Sequence, residues 1–198
     1  MSRKARRWRS FLTLPLRMRG GRKESLMANV VNAAPPEVTV PDSWKPAKPF
    51  DAFDTVGQFI PHAVTDDRLL VRYFQDETGA LKTWAWFGPG AEGAPGRVHG
   101  GSVSAMLDEV LGAAVWMTGM PVVTVTLKIR YRHPLPVGTI CDIETTIERM
   151  TAKRAVVTGV LTARGGKAIA EAEALYFRLP DSELPPGLDA ILARRRAQ

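Results

Sequence analysis

Residues 101–118, GSVSAMLDEVLGAAVWMT, read as one helix that is apolar on most sides. Val103, Met106, Leu107, Val110, Leu111, Ala114, Val115 and Met117 leave no broad polar face, and Gly119 and Pro121 stop the run. Such a helix needs cover all round. No second helix of comparable length and apolarity accompanies it, so the cover has to come from sheet.

The flanking sequence supplies strands. LLVRYFQ and LKTWAWFG, separated by the turn residues DETGA, predict an antiparallel hairpin. A loop rich in glycine and proline, GPGAEGAPGRV, leads into the helix. After it, VVTVTLKIRYRH alternates: Val123, Val125, Leu127, Ile129 and Tyr131 on one side, Thr124, Thr126, Lys128, Arg130 and Arg132 on the other. PLPVG reads as a turn. GTICDIETTIERMT, KRAVVTGVLTARGG and KAIAEAEALYFRL then complete an expected meander, with RGGK as a tight turn. Two strands, one buried helix and four strands predict an α+β hot-dog fold, an antiparallel sheet wrapped around one long central helix.

The expected organisation is a basic, disordered extension and irregular lead-in over 1–50, the folded domain over 51–180, and a tail or short helix over 181–198. The net charge of +7 belongs to the extension. Residues 1–24 carry nine Lys/Arg against Glu24 alone, a local +8 that leaves the remainder near −1. The folded part therefore lacks the basic footprint of a nucleic-acid binder. The extension fits a disordered arm, a start set too early with Met27 as the true first residue, or a mitochondrial-type presequence interrupted by Pro15. No apolar run approaches the ~20 residues of a membrane span. One cysteine, Cys141, excludes an intramolecular disulfide, fits a reducing, cytoplasmic setting, and reads as an inert thiol.

Chemistry concentrates in RVHGGSVSAMLDEVLG, residues 97–112. A glycine pair opening a helix leaves backbone N–H groups sterically open at its positive end, suited to a polarised carbonyl or oxyanion. His99 can fix that loop or orient a ligand, although Gly100 and Gly101 could equally serve a tight turn alone. Asp108, inside an apolar helix, is costly to bury without a partner, and facing a cleft it would be a general base or nucleophile. Glu109 beside it could face water at the rim. Nine residues separate His99 from Asp108, about 10–13 Å along the axis, too far for both to act on one carbonyl. Either the two are unrelated, or a two-fold dimer brings one chain's Asp108 to the other's glycine turn. Trp84 and Trp86 share a strand face and read first as packing, second as the lining of an aromatic acyl pocket. Lys128, Arg130 and Arg132 could keep a sheet face soluble or hold phosphates.

The runs GAPGRVHGGSVSAMLDEVLG and VVTVTLKIRYRHPLPVG resemble the hot-dog acyl-CoA thioesterases of the phenylacetate-degradation type, and particularly the branch of the human thioesterase superfamily members. The resemblance spans roughly residues 68–179. It implies hydrolysis of an acyl-CoA to free acid and coenzyme A, in fatty acid metabolism, by a homodimer or tetramer needing no metal or other cofactor, coenzyme A being part of the substrate. By the same resemblance the Gly100 amide polarises the thioester carbonyl, Asp108 activates water or attacks, Thr124 positions the water and His99 supports the turn. Gly101, Arg130, Arg132, Lys153 and Arg154 fall where coenzyme A is held. An asparagine that some branches carry before the glycine pair is absent; Glu92, Gly93 and Ala94 stand in that region. The competing readings are an enoyl-thioester hydratase, for which this helix lacks a second histidine, and a non-catalytic acyl-CoA sensor, which would not need Asp108 and Thr124.

Overall fold

The computed structural model describes residues 35–50, 59–61, 67–184, 187–188 and 192–193. The elements in chain order are β1 (Lys45–Pro46), β2 (Leu69–Gln75), β3 (Leu81–Phe87), α1 (Gly100–Trp116), β4 (Val122–Tyr131), β5 (Thr139–Met150), β6 (Arg154–Ala163) and β7 (Ala168–Arg178). All strands lie in one antiparallel sheet of order β1-β2-β3-β5-β6-β7-β4, with α1 packed on one face: the hot-dog fold. Of the expected extension and lead-in over 1–50, residues 1–34 lie outside the described residues, as do 185–186, 189–191 and 194–198 of the expected tail or short helix over 181–198. Leu188 and Leu192, which are described, are buried in the core.

The meander expected after the helix is corrected by this order. β4 does not turn into β5; it pairs with β7 at the far edge, while β5 pairs with β3. Pro134 and Pro136 prevent a tight hairpin. The connection instead meets the lead-in to α1, where the Val98 N–H donates to Leu135 O at 2.8 Å and Arg97 bridges Pro136. The Gly138 N–H then donates to Phe87 O at 2.6 Å, which seats β5 beside β3. Strands thus reach the helix from both sides.

The cover the helix needs is complete. Val103, Met106, Leu107, Val110, Leu111 and Val115 are buried against Val71, Ala85, Phe87, Ile143, Val157 and Leu161. Each such side chain contributes about 1.5–3 kcal/mol of transfer free energy. On β7, Ala170, Ala172 and Ala174 are small enough for α1 to approach closely. Trp84 and Trp86 join Leu70 in a separate cluster, covered by Val38 and Val40 of the lead-in, so they pack rather than line the helix side.

Gly159 on β6 faces Leu111 of α1 at close range. A Cβ there would sit 2.5 Å from Leu111 Cδ1 and 3.3 Å from the Glu144 carbonyl. Leu111 is fully buried and has nowhere to move. Gly159→Ala is expected to cost about 1–3 kcal/mol by overpacking. It should combine with Leu111→Ala to less than the sum of the two single losses, because one makes room for the other. Urea unfolding of the three variants checks this; a strictly additive pair would mean that the contact does not limit the packing.

Candidate active site

The start of α1 is held from several directions. His99 is its N-cap, with extended φ −64° and ψ 137°, and its Nδ1 accepts from the Gly101 N–H at 2.9 Å. The imidazole must therefore be unprotonated at Nδ1. The His99 N–H donates to Ala91 O at 2.8 Å, and His99 O accepts from Ser102 N at 3.0 Å and Val103 N at 3.3 Å. Gly93 lies so close that a Cβ there would come within 2.9 Å of His99 Cα. The Gly100 carbonyl accepts from the Tyr131 hydroxyl at 2.9 Å and from Ser104 Oγ at 3.0 Å, and those hydroxyls lie 2.6 Å apart. Among the described residues nothing accepts from the Gly100 N–H. It is an exposed donor at the positive end of a 17-residue helix.

Of the two glycine amides expected to face a ligand, only that of Gly100 is open. The Gly101 amide is engaged by His99, so Gly101 offers a substrate bare backbone surface but no donor.

Asp108 lies eight residues further on, about 12 Å along the axis. It is half-buried, and its Oδ1 accepts from Thr124 Oγ1 at 2.8 Å. That contact depends on a β-bulge. Thr124 pairs with Tyr176 and Thr126 with Leu175, so Val125 stands unpaired between them. The bulge shifts the strand's parity, which corrects the uninterrupted alternation expected from the sequence. Thr124 now shares the helix-facing side with Leu127, Ile129 and Tyr131, while Val123 lies 47% exposed. Tyr176 packs against α1 and donates from its hydroxyl to the Asp108 carbonyl at 3.2 Å. Burial, and secondarily the Asp108 charge, push the Tyr176 pKa upward, keeping it a neutral donor. Burial, and secondarily the Glu109 charge, raise the Tyr73 pKa.

The expected coenzyme A cations divide into two groups. Lys128 on β4 pairs with Glu173 at 3.0 Å, and Arg132, just beyond the strand, forms a two-pronged bond to Glu171 at 3.0 and 2.7 Å. Arg132, through its hydrogen bond and then its charge, and after it Arg130, hold the Glu171 carboxyl below its usual range. Among the described residues Arg130 makes no ion pair. Lys153 and Arg154 sit at the β5–β6 turn, beside Phe177 and Leu179, on a groove of about 670 Å³. The register pairs Arg154 with Phe177 and Val123 with Phe177, whereas Tyr131 pairs with Ala170. The two groups therefore lie at opposite ends of β4, separated by roughly 25–30 Å of strand.

Within one chain, then, His99 and Gly100 meet, Asp108 and Thr124 meet, and the two pairs remain apart. Tyr131, Ser104 and Tyr176 escaped the sequence reading. The signal for Tyr176 was a bulky, polar-tipped ring in a strand otherwise lined with alanine. Among the described residues no group of three His, Cys, Asp or Glu side chains could hold a metal ion, and no helix is long and apolar enough to cross a membrane.

Residues 95–170 match the model of the Thioesterase superfamily. Acyl-coenzyme A thioesterase THEM4 of Xenopus laevis is 32% identical over 94 residues, 46% of this chain and 42% of that protein. Acyl-coenzyme A thioesterase THEM5 of Mus musculus is 27% identical over 93 residues, 46% of this chain and 38% of that protein. The chain thus spans well under half the length of these curated relatives. A Bacillus halodurans protein solved with CoA is 27% identical with a TM-score of 0.51, covering 55% of this chain and 74% of that one. The PaaI protein of the phenylacetic acid degradation operon of E. coli, at 15% identity and TM-score 0.51 over 57% of this chain and 80% of that one, shares the fold. The resemblance to hot-dog acyl-CoA thioesterases read from the sequence is borne out.

Cys141 is fully buried on β5, and burial, with the Asp142 charge second, pushes its thiol up to about 12. An aromatic disulfide reagent at pH 8 is expected to leave the folded chain unlabelled and to react fully after denaturation. Rapid labelling of the native protein would contradict the burial of this strand.

Proposed function

We propose that this chain is an acyl-CoA thioesterase that works as a homodimer, with each active site built from two copies. The observation that carries the reading is the pairing of Asp108 with Thr124 below an open sheet edge, together with the unpartnered Gly100 amide about 12 Å away on the same helix. The thioesterase-superfamily match, and relatives named acyl-coenzyme A thioesterases, support that chemistry. A likeness to a structure containing CoA supports the substrate class.

In the proposed reaction the Gly100 N–H donates to the thioester carbonyl oxygen, where negative charge grows as the carbon becomes tetrahedral. Asp108, its Oδ1 fixed by Thr124, takes a proton from water through its other oxygen, and the water oxygen bonds to the carbonyl carbon. Collapse breaks the carbon–sulfur bond. The sulfur leaves with the proton, giving free acid and the coenzyme A thiol. His99 keeps the turn in shape through Gly101.

β4 ends the sheet with one edge unpaired, and Val123 and Val125 are about half exposed there. Such an edge invites another strand. Antiparallel pairing of two β4 strands across a two-fold axis runs the two helices in opposite senses, so Gly100 of one copy approaches Asp108 of the other. The same symmetry carries Lys153 and Arg154 of one copy toward Arg130 of the second, gathering the divided cations into one positive rim for coenzyme A phosphates. Arg132, already tied to Glu171, contributes less to that rim. The lone buried cysteine suits a reducing compartment, and the cytoplasm is the proposed location.

Release of free thiol from short, medium, long and aryl acyl-CoAs tests the activity. Asp108→Asn keeps the side chain's shape and an acceptor for Thr124 but removes the base, and should lower turnover by ~10²–10⁴-fold. Acyl-CoA binding and the melting temperature should change little. Near-normal turnover by this variant would falsify the role given to Asp108.

A further inference from the structure

The glycine turn raises a question of precision that the reading above leaves open. A donor that stabilises a growing oxyanion must sit within a few tenths of an ångström of its target, yet Gly100 is exposed and carries no side chain to lock it. Two peptide planes meet at Gly100, and each has a polar group on either side. The His99 carbonyl is held by the Ser102 and Val103 amides. The Gly101 amide is held by the His99 ring. The Gly100 carbonyl is held by Ser104 and Tyr131. Of these partners, only Tyr131 comes from outside residues 99–104. The others are local to the turn; the lead-in before it is anchored separately, by the His99 N–H on Ala91 O and the Val98 N–H on Leu135 O, so Tyr131 is the tether that joins the turn to β4.

We propose that the Tyr131 hydroxyl is a positioning residue for the Gly100 amide, fixing the turn to the edge strand. The kinetic consequence of this tether rests on the thioesterase reading, whereas its geometry does not. Tyr131 is the last residue of β4, and its ring is 52% exposed, so it is not held in place by core burial. Its hydroxyl nevertheless closes a triangle with Ser104 Oγ at 2.6 Å and Gly100 O at 2.9 Å. Ser104 Oγ also donates to Gly100 O at 3.0 Å, the third side of the triangle.

The Tyr131 hydroxyl has one proton. If it goes to the Gly100 carbonyl, the tyrosine oxygen is left as an acceptor for Ser104; if it goes to Ser104, the serine proton serves the carbonyl. In either arrangement the carbonyl keeps a donor and the turn keeps its tether. The same strand carries Thr124 near its other end, where it holds Asp108. β4 therefore fixes both the carboxylate and the open amide of its own chain, seven residues apart along one strand. A shift of that strand moves both groups together, which keeps each in register with the opposing group of a second copy.

Tyr131→Phe removes one oxygen and leaves the ring. Its expected effect is a kcat lower by roughly ten- to a hundredfold, since misplacement of a catalytic group by about 1 Å costs on that order. KM for the acyl-CoA should stay within about twofold, because binding does not depend on the last fraction of an ångström. The melting temperature should remain close to wild type, as the lost bond is at an exposed ring. The backbone ¹H–¹⁵N resonance of Gly100 should move, reporting a changed setting of that amide once the turn loses its tether to β4, while Ser104 still donates to the Gly100 carbonyl.

An unchanged kcat with an unmoved Gly100 resonance would overturn the proposal. So would a rise in KM equal to the loss in kcat/KM, which would place the hydroxyl on the substrate, or a fall of many degrees in melting temperature, which would make it a brace of the fold. If the wild-type chain releases thiol from no acyl-CoA, the functional reading fails, and the Gly100 resonance still decides whether Tyr131 sets the turn.

Discussion

The structure depends on the burial of one helix that has almost no polar side. Ten of its residues, from Val103 to Trp116, are buried, and they can be so only if sheet covers them on several flanks. That requirement explains why β4 crosses to the far edge instead of pairing with its successor. A meander in sequence order would have laid β4 between β3 and β5 and separated them. With β4 beside β7, the strand after the helix becomes the terminal strand, and its free edge lies next to the flank of α1 that carries Asp108.

Three polar groups of this helix are answered by β4 or β7. Asp108 has the Thr124 hydroxyl, its carbonyl has the Tyr176 hydroxyl, and Gly100 has Tyr131. A half-buried carboxylate is costly without such donors. With them it is held in one rotamer, with one oxygen occupied and the other open. At the helix start the pattern is complementary. The carbonyls and the second glycine amide are engaged, which leaves a single donor where the helix dipole is most positive. One open acceptor and one open donor, a fixed distance apart on one rigid helix, set the geometry that any partner chain must match.

Much of this was legible in the sequence because it follows from periodicity. The helix expected over 101–118 runs over Gly100–Trp116; the four longer strands and the β2–β3 hairpin lie where alternation and turn residues put them. Asp108 stood out as a charge in an apolar run, and Gly100 as an open backbone at a helix start. Strand order was not legible, because alternation says which face a residue takes and nothing about which strand lies beside it. Nor was the bulge at Val125: Thr124 and Thr126 look equivalent in sequence, and only the pairing with Tyr176 and Leu175 shows which one meets Asp108. Lys128, Arg130 and Arg132 read as a solubilising sheet face or as phosphate ligands, but Glu171 and Glu173 of β7 pair with Arg132 and Lys128, a pairing that only the three-dimensional register reveals. Tyr131 read as one more apolar residue because its ring fits the alternation, while its work is done by the oxygen.

The central claim is that the open amide and the carboxylate act on one thioester only when they come from different chains. Mixing two inactive variants tests it most directly. Asp108→Asn lacks the base, and Gly100→Pro lacks the amide proton while remaining compatible with the first position of a helix. After subunit exchange, a heterodimer holds one site with an intact Gly100 from one chain and an intact Asp108 from the other. The account predicts that up to about half of the heterodimer's sites regain wild-type turnover, as two-fold symmetry requires. If both variants fold and exchange subunits, and the mixture stays as inactive as its components, the shared site is contradicted.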